Sequence, residues 1–247
     1  MPAMPAWPPK SLPRLFVRGE LSDSARLDLD AKQANYLGNV MRLGEGTELL
    51  VFDGSSGEWL ARIVEAGKKR MTLSVERQSR EPEVIPDVWL GFAPVKRNQT
   101  DWLVEKATEL GVAKLLPVMT RRTIADRVKL ERLEAIAIEA AEQCGRTRLP
   151  EIGEPLPLAR LIEQRAPGRT LYFADEAGGE PAVSAFRPGP AIILTGPEGG
   201  FTDEERASIR AAPDTVPVSL GPRILRAETA ALAALAAYMV VAGDWRP

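Results

Sequence analysis

Short apolar runs separated by turn signals fill the first eighty residues. Leu15-Phe16-Val17, the period-two Leu27-Asp28-Leu29, Glu48 to Phe52, Glu58 to Val64 and Met71 to Val75 predict strands. Asp53-Gly54-Ser55-Ser56-Gly57 and Lys68-Lys69-Arg70 predict turns, and Ala31 to Met41 predicts one helix. Short strands so closely spaced predict a compact barrel of five or six. Ser79 to Pro86 then breaks the pattern with two prolines, which puts a domain boundary there and divides the chain into residues 1–80 and 81–247.

Beyond the boundary, strands and helices alternate. Val88 to Ala93, Lys114 to Val118, Arg169 to Ala174, Ala191 to Thr195 and Thr215 to Ser219 predict strands. Asn98 to Leu110, Leu130 to Cys144, Asp203 to Ala211 and Arg226 to Val241 predict helices. This succession implies an α/β domain built on a mostly parallel sheet covered on both faces. The last helix carries no charge from Thr229 to Ala242. A helix apolar on every side must be buried on every side, and a sheet covers only one, so a partner subunit is expected over the other.

Composition narrows the chemistry. The 247 residues are 45% hydrophobic with a formal net charge of -2, which excludes disorder as the main state. Cys144 is the single cysteine, so an intramolecular disulfide and a cysteine-cluster metal site are excluded. The absence of histidine excludes a Ser-His-Asp triad and histidine-ligated zinc. No segment has the roughly 18–20 uninterrupted apolar residues of a membrane span. Met1 to Pro13 reads as a disordered, proline-rich leader and not a signal peptide, so the cytoplasm is the expected location.

Two loops stand out. The apolar Ala191 to Leu194 runs into Thr195-Gly196-Pro197-Glu198-Gly199-Gly200-Phe201, and Thr202 and Glu205 then have the spacing of a capping box. Glycines let a ligand approach the backbone, and ligands bind at the C-terminal ends of parallel strands. A helix N-terminus attracts anions. Here, however, Glu198, Asp203, Glu204 and Glu205 disfavour phosphate and suit a cationic or neutral ligand. The second loop, Leu220-Gly221-Pro222-Arg223-Ile224-Leu225-Arg226-Ala227-Glu228-Thr229-Ala230, also leads from a strand to a helix, and the two loops are candidates to wall one pocket.

Together these loops resemble the RsmE family, 16S ribosomal RNA uridine N3-methyltransferases of the SPOUT superfamily. Lys106 to Val112, Arg121-Arg122-Thr123, and Ala140-Ala141-Glu142-Gln143-Cys144-Gly145-Arg146 with Pro150 are similar to further motifs of that family, in the same order. Asn35-Tyr36-Leu37-Gly38-Asn39-Val40-Met41-Arg42 resembles its His-His-Leu-x-x-Val-Leu-Arg, but lacks the two histidines. The resemblance implies an N-terminal PUA-like β-barrel that binds RNA and a C-terminal SPOUT α/β domain with a deep trefoil knot. It implies a homodimer through the C-terminal domain, S-adenosylmethionine as cofactor, no metal, and 16S rRNA in the small ribosomal subunit as partner. The family's target is the uridine at position 1498 in conventional rRNA numbering. Alternatives are another RNA target, ribose 2′-O-methylation, or a non-catalytic RNA-binding assembly protein.

Carried onto this chain, the cofactor positions are Leu194, Thr195, Gly196, Glu198, Gly199 and Gly200, then Leu220, Gly221, Ile224, Leu225, Arg226, Thr229 and Ala230. Uracil N3 carries a proton at neutral pH, so the reaction needs a proton acceptor or an anion stabiliser. Glu198 and Glu228 are candidate bases, and Arg226 and Arg223 candidate stabilisers. Cys144 reads as a helix-packing residue, since methylation at a ring nitrogen needs no enzyme adduct. Candidate RNA contacts are Arg14, Arg18, Arg42, Lys68, Lys69 and Arg70 in the first domain. Lys96, Arg97, Arg121, Arg122, Arg146 and Arg148 are the candidates in the second.

Overall fold

The structure, a computed structural model, describes residues 12–67, 70–124 and 127–246. Most of the proline-rich leader and the Lys68-Lys69 pair lie outside the described residues. Two units are defined. One ends at Val84 and takes in Ala141–Arg148; the other holds Ile85–Ala140 and resumes at Leu149.

In the first unit, β1 (Arg14–Phe16), β2 (Arg26–Leu29), β3 (Glu48–Phe52), β4 (Glu58–Ala66) and β5 (Met71–Arg80) form one sheet of order β1-β3-β4-β5-β2. β1 and β3 are parallel and the remaining pairs antiparallel. Alternation puts Leu49, Val51, Ala61, Ile63, Leu73 and Val75 into a common core with Leu37. β5 runs to Arg80, past the expected Val75, because its polar second half still pairs with β4. Register shifts along β4–β5 mark bulges, which add twist.

Asp30 caps α1 (Ala31–Asn35), accepting from Gln33 N at 2.8 Å. The helix then widens into a π-helical turn, Tyr36–Val40, so the single helix expected to Met41 is two kinds of helix in series. At the β3–β4 turn, Asp53 accepts from Ser55 N and Ser56 N, both at 2.7 Å. Burial pushes its carboxyl up, but these donors outweigh that effect and hold it below the ordinary range. Gly57 has φ +91°, and a Cβ there would stand 2.3 Å from the Arg80 carbonyl oxygen, so only glycine fits.

The second unit contains β6 (Val88–Phe92), α2 (Arg97–Glu109), β7 (Lys114–Met119), α3 (Leu130–Cys144), β8 (Glu151–Ile152), β9 (Leu156–Pro157) and α4 (Leu158–Gln164). β10 (Thr170–Ala174), β11 (Glu180–Pro181), α5 (Ala182–Ala185), β12 (Ala191–Thr195), α6 (Asp203–Ala211), β13 (Thr215–Ser219) and α7 (Ala227–Val241) follow. The last residues of α3, from Ala141, belong with the first unit. The sheet order is β11-β13-β10-β12-β6-β7-β8, with β9 beside β7, and every pairing is parallel.

Burial on both faces follows from the strand sequences. Ala191 and Ile193 of β12 join a core with α2, α3, α5 and α7, while Ile192 and Leu194 join a second core with α4 and α6. The sequence reading leaves α4 unassigned, since its seven residues are too few to show a helical period. Within α7, Ala231, Ala234, Leu235, Tyr238 and Met239 are buried, and Thr229, Ala233 and Val240 face out as an uncharged stripe.

Arg14 belongs to the architecture of the first unit. Its side chain is 8% exposed and donates from Nε to Glu58 Oε2 at 2.6 Å. Nη1 donates to the carbonyls of Ala141 and Glu142, and Nη2 to that of Arg146, at 2.6–2.9 Å. A guanidinium thus donates to carbonyls at the C-terminal end of α3, where Ala141 O also accepts from Gly145 N at 3.2 Å, and complements the helix dipole.

Candidate active site

β12, β10 and β13 lie side by side, and all three end on the same edge of the sheet because they are parallel. After β12, Thr202 opens α6 with the predicted capping box. Glu205 N donates to Thr202 Oγ1 at 3.2 Å, and Thr202 N to Glu205 Oε2 at 3.0 Å. Phe201 anchors the glycine loop by packing edge-on against Phe173, with centroids 5.2 Å apart. A Cβ on Gly196 would meet the Phe201 ring at 2.7 Å. One on Gly200, at φ +67°, would meet Glu176 Oε1 at 2.8 Å.

The loop after β13 has Gly221 at φ +106° and ends on Arg226, the N-cap residue of α7. The loop after β10, Asp175 to Gly178, completes the set. The three loops enclose a cavity of about 550 Å³, within the range of a small-molecule site.

Its electrostatics rest on a buried carboxylate. The Asp175 side chain is 1% exposed and accepts from Arg206 Nε at 3.1 Å, Arg210 Nε at 2.8 Å and Ala177 N at 2.9 Å. Arg206 also reaches Glu176 at 2.7 Å. Two cations therefore compensate a carboxylate that would be costly alone, and they fix the third loop against α6. Sequence reading missed Asp175 and Glu176. The available signal was the acidic, glycine-ended turn Ala174-Asp175-Glu176-Ala177-Gly178 after a predicted strand.

Most of the expected ligand positions converge. Thr195, Gly196, Glu198 and Gly200 line the cavity from the first loop. Leu220, Gly221, Arg223, Ile224, Leu225 and Arg226 line it from the second, with Ala230 from the first turns of α7. Leu194 is instead fully buried in the sheet core. Gly199 turns its carbonyl to Arg122, and neither it nor Thr229 is part of the lining. Glu228 also stands outside the lining; it is 7% exposed, and its Oε2 has no hydrogen-bond partner.

The basic candidates separate by burial. Arg14 is engaged as described, and Arg146, also buried, pairs with Glu83 at 3.3 Å. Arg18, Arg42, Arg70 and Arg148 are exposed in the first unit, with Arg70 3.9 Å from Asp28. In the second unit Arg121 faces Glu204 at 3.4 Å. Lys96, Arg97 and Arg122 meet at a second cavity of about 340 Å³. Burial pushes the Cys144 thiol up, so it stays protonated and poorly nucleophilic near neutral pH.

A parallel α/β sheet with a glycine-loop cavity at its strand ends, in one chain with a small β unit, has the architecture of a small-molecule-binding α/β domain. The RNA methyltransferase domain family matches residues 81–239, and the RNA methyltransferase PUA domain family matches residues 29–76. The chain belongs to the family of ribosomal RNA small subunit methyltransferase E.

It is 36% identical to the Synechocystis enzyme of that name over 90% of this chain and 76% of the relative. It is 30% identical to the Rickettsia conorii enzyme over 90% and 93%. Among solved structures, ribosomal RNA small subunit methyltransferase E from Neisseria gonorrhoeae, bound to S-adenosylmethionine, superposes with a TM-score of 0.88. That match has 27% identity and covers 95% of this chain and 100% of the other.

Proposed function

We propose that this protein methylates 16S rRNA of the small ribosomal subunit from S-adenosylmethionine, at N3 of one uridine. The observation that carries the reading is the cavity walled by the loops after β10, β12 and β13. Its chemistry fits the cofactor. Glu176 and Glu198 offer carboxylates near a cationic or amino group, and Arg223 and Arg226 offer counter-charges. Leu220, Ile224 and Leu225 offer apolar cover. Ile224 is 82% exposed, an apolar side chain left at the rim for a ligand to bury.

Bound there, S-adenosylmethionine supplies an electrophilic methyl carbon, its sulfur leaving with the bonding pair as a neutral thioether while the N3–carbon bond forms. Glu198 is exposed on the cavity wall and is assigned to take the N3 proton. Arg226 and Arg223 line the same cavity and stabilise the charge that builds on the uracil carbonyl oxygens. Glu228 is buried away from the lining, which favours Glu198 as the base.

Residues 1–80 are assigned to RNA holding and residues 81–247 to methyl transfer within a knotted SPOUT domain. The insertion of β12 between β6 and β10 supports the knot. The uncharged outward stripe of α7, with Trp102 and Trp245 exposed, supports a homodimer through the second unit. A ribosomal substrate puts the enzyme in the cytoplasm, and among the described residues no helix is long and apolar enough to cross a membrane.

Nucleoside mass spectrometry after incubating small subunits with methyl-labelled cofactor tests the reading. Labelled 3-methyluridine is expected. Label in a ribose-methylated nucleoside, or none in RNA, defeats it.

A further inference from the structure

The second cavity is a separate chamber on the same wall. It lies between the loop leading into α2, the segment before α3, and Pro197-Glu198. Pro197 and Glu198 also line the first cavity, so the two spaces share a dipeptide as a common wall. Gln99 Nε2 donates to Glu198 Oε1 at 3.4 Å from the side of the second chamber.

The two chambers differ in charge. In the lining of the first, Asp175, Glu176 and Glu198 balance Arg206, Arg223 and Arg226. The second chamber opens at the N-terminus of α2, which starts at Lys96-Arg97 with no acidic residue in its first turn and no side-chain cap. Arg122, Arg127, Lys129 and Arg132 add further positive charge. Arg132 is committed to Asp101 at 2.5–3.1 Å, and Arg122 to the carbonyls of Gly199 and Phe201. Lys96, Arg97 and Lys129 are exposed and form no ion pair among the described residues.

Beneath these cations the floor is apolar. Val95 and Leu133 are buried, and the Thr100 hydroxyl is already bonded to the Val95 backbone at 3.2 Å. A basic rim over an apolar floor suits a flat heterocycle carrying a phosphate. A volume of about 340 Å³ admits one nucleotide and not a duplex. An enzyme that reacts with a base edge must first take that base out of its stack.

We propose that this chamber receives the single unstacked pyrimidine nucleotide that is to be methylated. Lys96, Arg97 and Lys129 hold its phosphates, and Val95 and Leu133 carry the base. Its reacting edge faces Pro197-Glu198 and the first cavity beyond. The inference rests on the methyltransferase reading and adds where that enzyme's substrate sits. It also accounts for Glu198, which then borders both reactants.

The test uses the full-length protein and a small-subunit RNA fragment carrying 5-iodouridine at the methylated position, irradiated without cofactor. Crosslinked peptides are expected within residues 94–101 or 127–133. Lys96→Glu and Lys129→Glu are expected to cut the crosslink at least tenfold and raise KM for small subunits by a similar factor. Both should leave the Kd for S-adenosylmethionine within twofold of wild type. Crosslinks confined to other segments, in a protein that still forms labelled 3-methyluridine, overturn the chamber and leave the methyltransferase reading intact. A wild-type protein that neither methylates nor crosslinks overturns both.

Discussion

Arg122 donates from Nη1 to the Gly199 carbonyl at 2.7 Å, and more weakly to that of Phe201 at 3.3 Å. The segment after β7 thus holds the glycine loop from the side away from the cavity walled by the loops after β10, β12 and β13. Arg122→Ala should raise the Kd for S-adenosylmethionine about threefold to tenfold. Loss of one charge-assisted bond at an exposed site should cost at most about 1 kcal/mol of global stability. Calorimetry and urea denaturation measure the two effects separately; unchanged affinity would show that the loop keeps its shape unaided.

Adjacent glycines should respond differently to the same substitution. At Gly199 a Cβ would meet Arg122 Cδ at 3.5 Å, an ordinary contact, whereas Gly200 has φ +67° and Glu176 in the way. A side chain in that left-handed region costs about 1–2 kcal/mol before any clash. Gly200→Ala should weaken cofactor binding at least tenfold, and Gly199→Ala should stay within twofold. Equal affinities in titration calorimetry would contradict the geometry.

Arg226 lines the cavity and caps α7 without using its side chain. If it stabilises charge that appears only during transfer, Arg226→Ala should lower kcat by about a hundredfold and change cofactor Kd by less than threefold. Single-turnover kinetics on small subunits at saturating cofactor resolve the split. Turnover equal to wild type would remove Arg226 from the chemistry.

Asp175 should be the costliest polar position in the second unit. Replacing it with Asn leaves Arg206 and Arg210 facing a neutral group. Both guanidiniums are partly exposed and relax toward water, so the loss should be about 2 kcal/mol, below that of a fully buried pair. The urea midpoint should fall with m unchanged, and cofactor affinity should fall with it as the third loop loosens.

Asp53 carries a pH signature. Its folded carboxyl is held below the ordinary value, so its contribution is complete above the unfolded carboxylate range near pH 4. That contribution fades as pH drops through the folded value. Asp53→Ala should cost at most about 1 kcal/mol at pH 7, allowing for solvent screening. The gap from wild type should narrow by pH 3 in parallel urea titrations. A gap independent of pH would assign the turn to Gly57 alone.

The contrast between Glu198 and Asp175 shows what the chain discloses when read linearly. β12, α6 and β13 occur over the expected residues, because continuous apolar runs end in turn signals and Thr202 and Glu205 cap reciprocally over three positions. Those features are local, so Glu198 was placed with its loop.

Asp175 became part of the site only because β10 lies between β12 and β13, an order that sequence succession does not state. Its partners, Arg206 and Arg210, lie 31 and 35 residues away. The same non-locality misled the reading of Arg14 and Arg146 as RNA contacts. Both look like surface cations in sequence and are spent inside the first unit on carbonyls and carboxylates. The π-helical turn at Tyr36–Val40 had no sequence signal beyond Gly38, and the period there resembles an ordinary helix.

Arg14 also constrains how the protein can be made. The carbonyls it binds, on Ala141, Glu142 and Arg146, are synthesised more than 120 residues after it. During vectorial synthesis the N-terminal module cannot reach its final form until the ribosome has extruded more than half of the polypeptide. A fragment truncated at the proline-rich boundary would therefore leave the guanidinium with Glu58 and the Phe52 ring but without its three carbonyl acceptors. Expression of the amino-terminal portion alone should yield a poorly cooperative species, and supplying residues 141–148 as a tethered peptide should restore sharp melting.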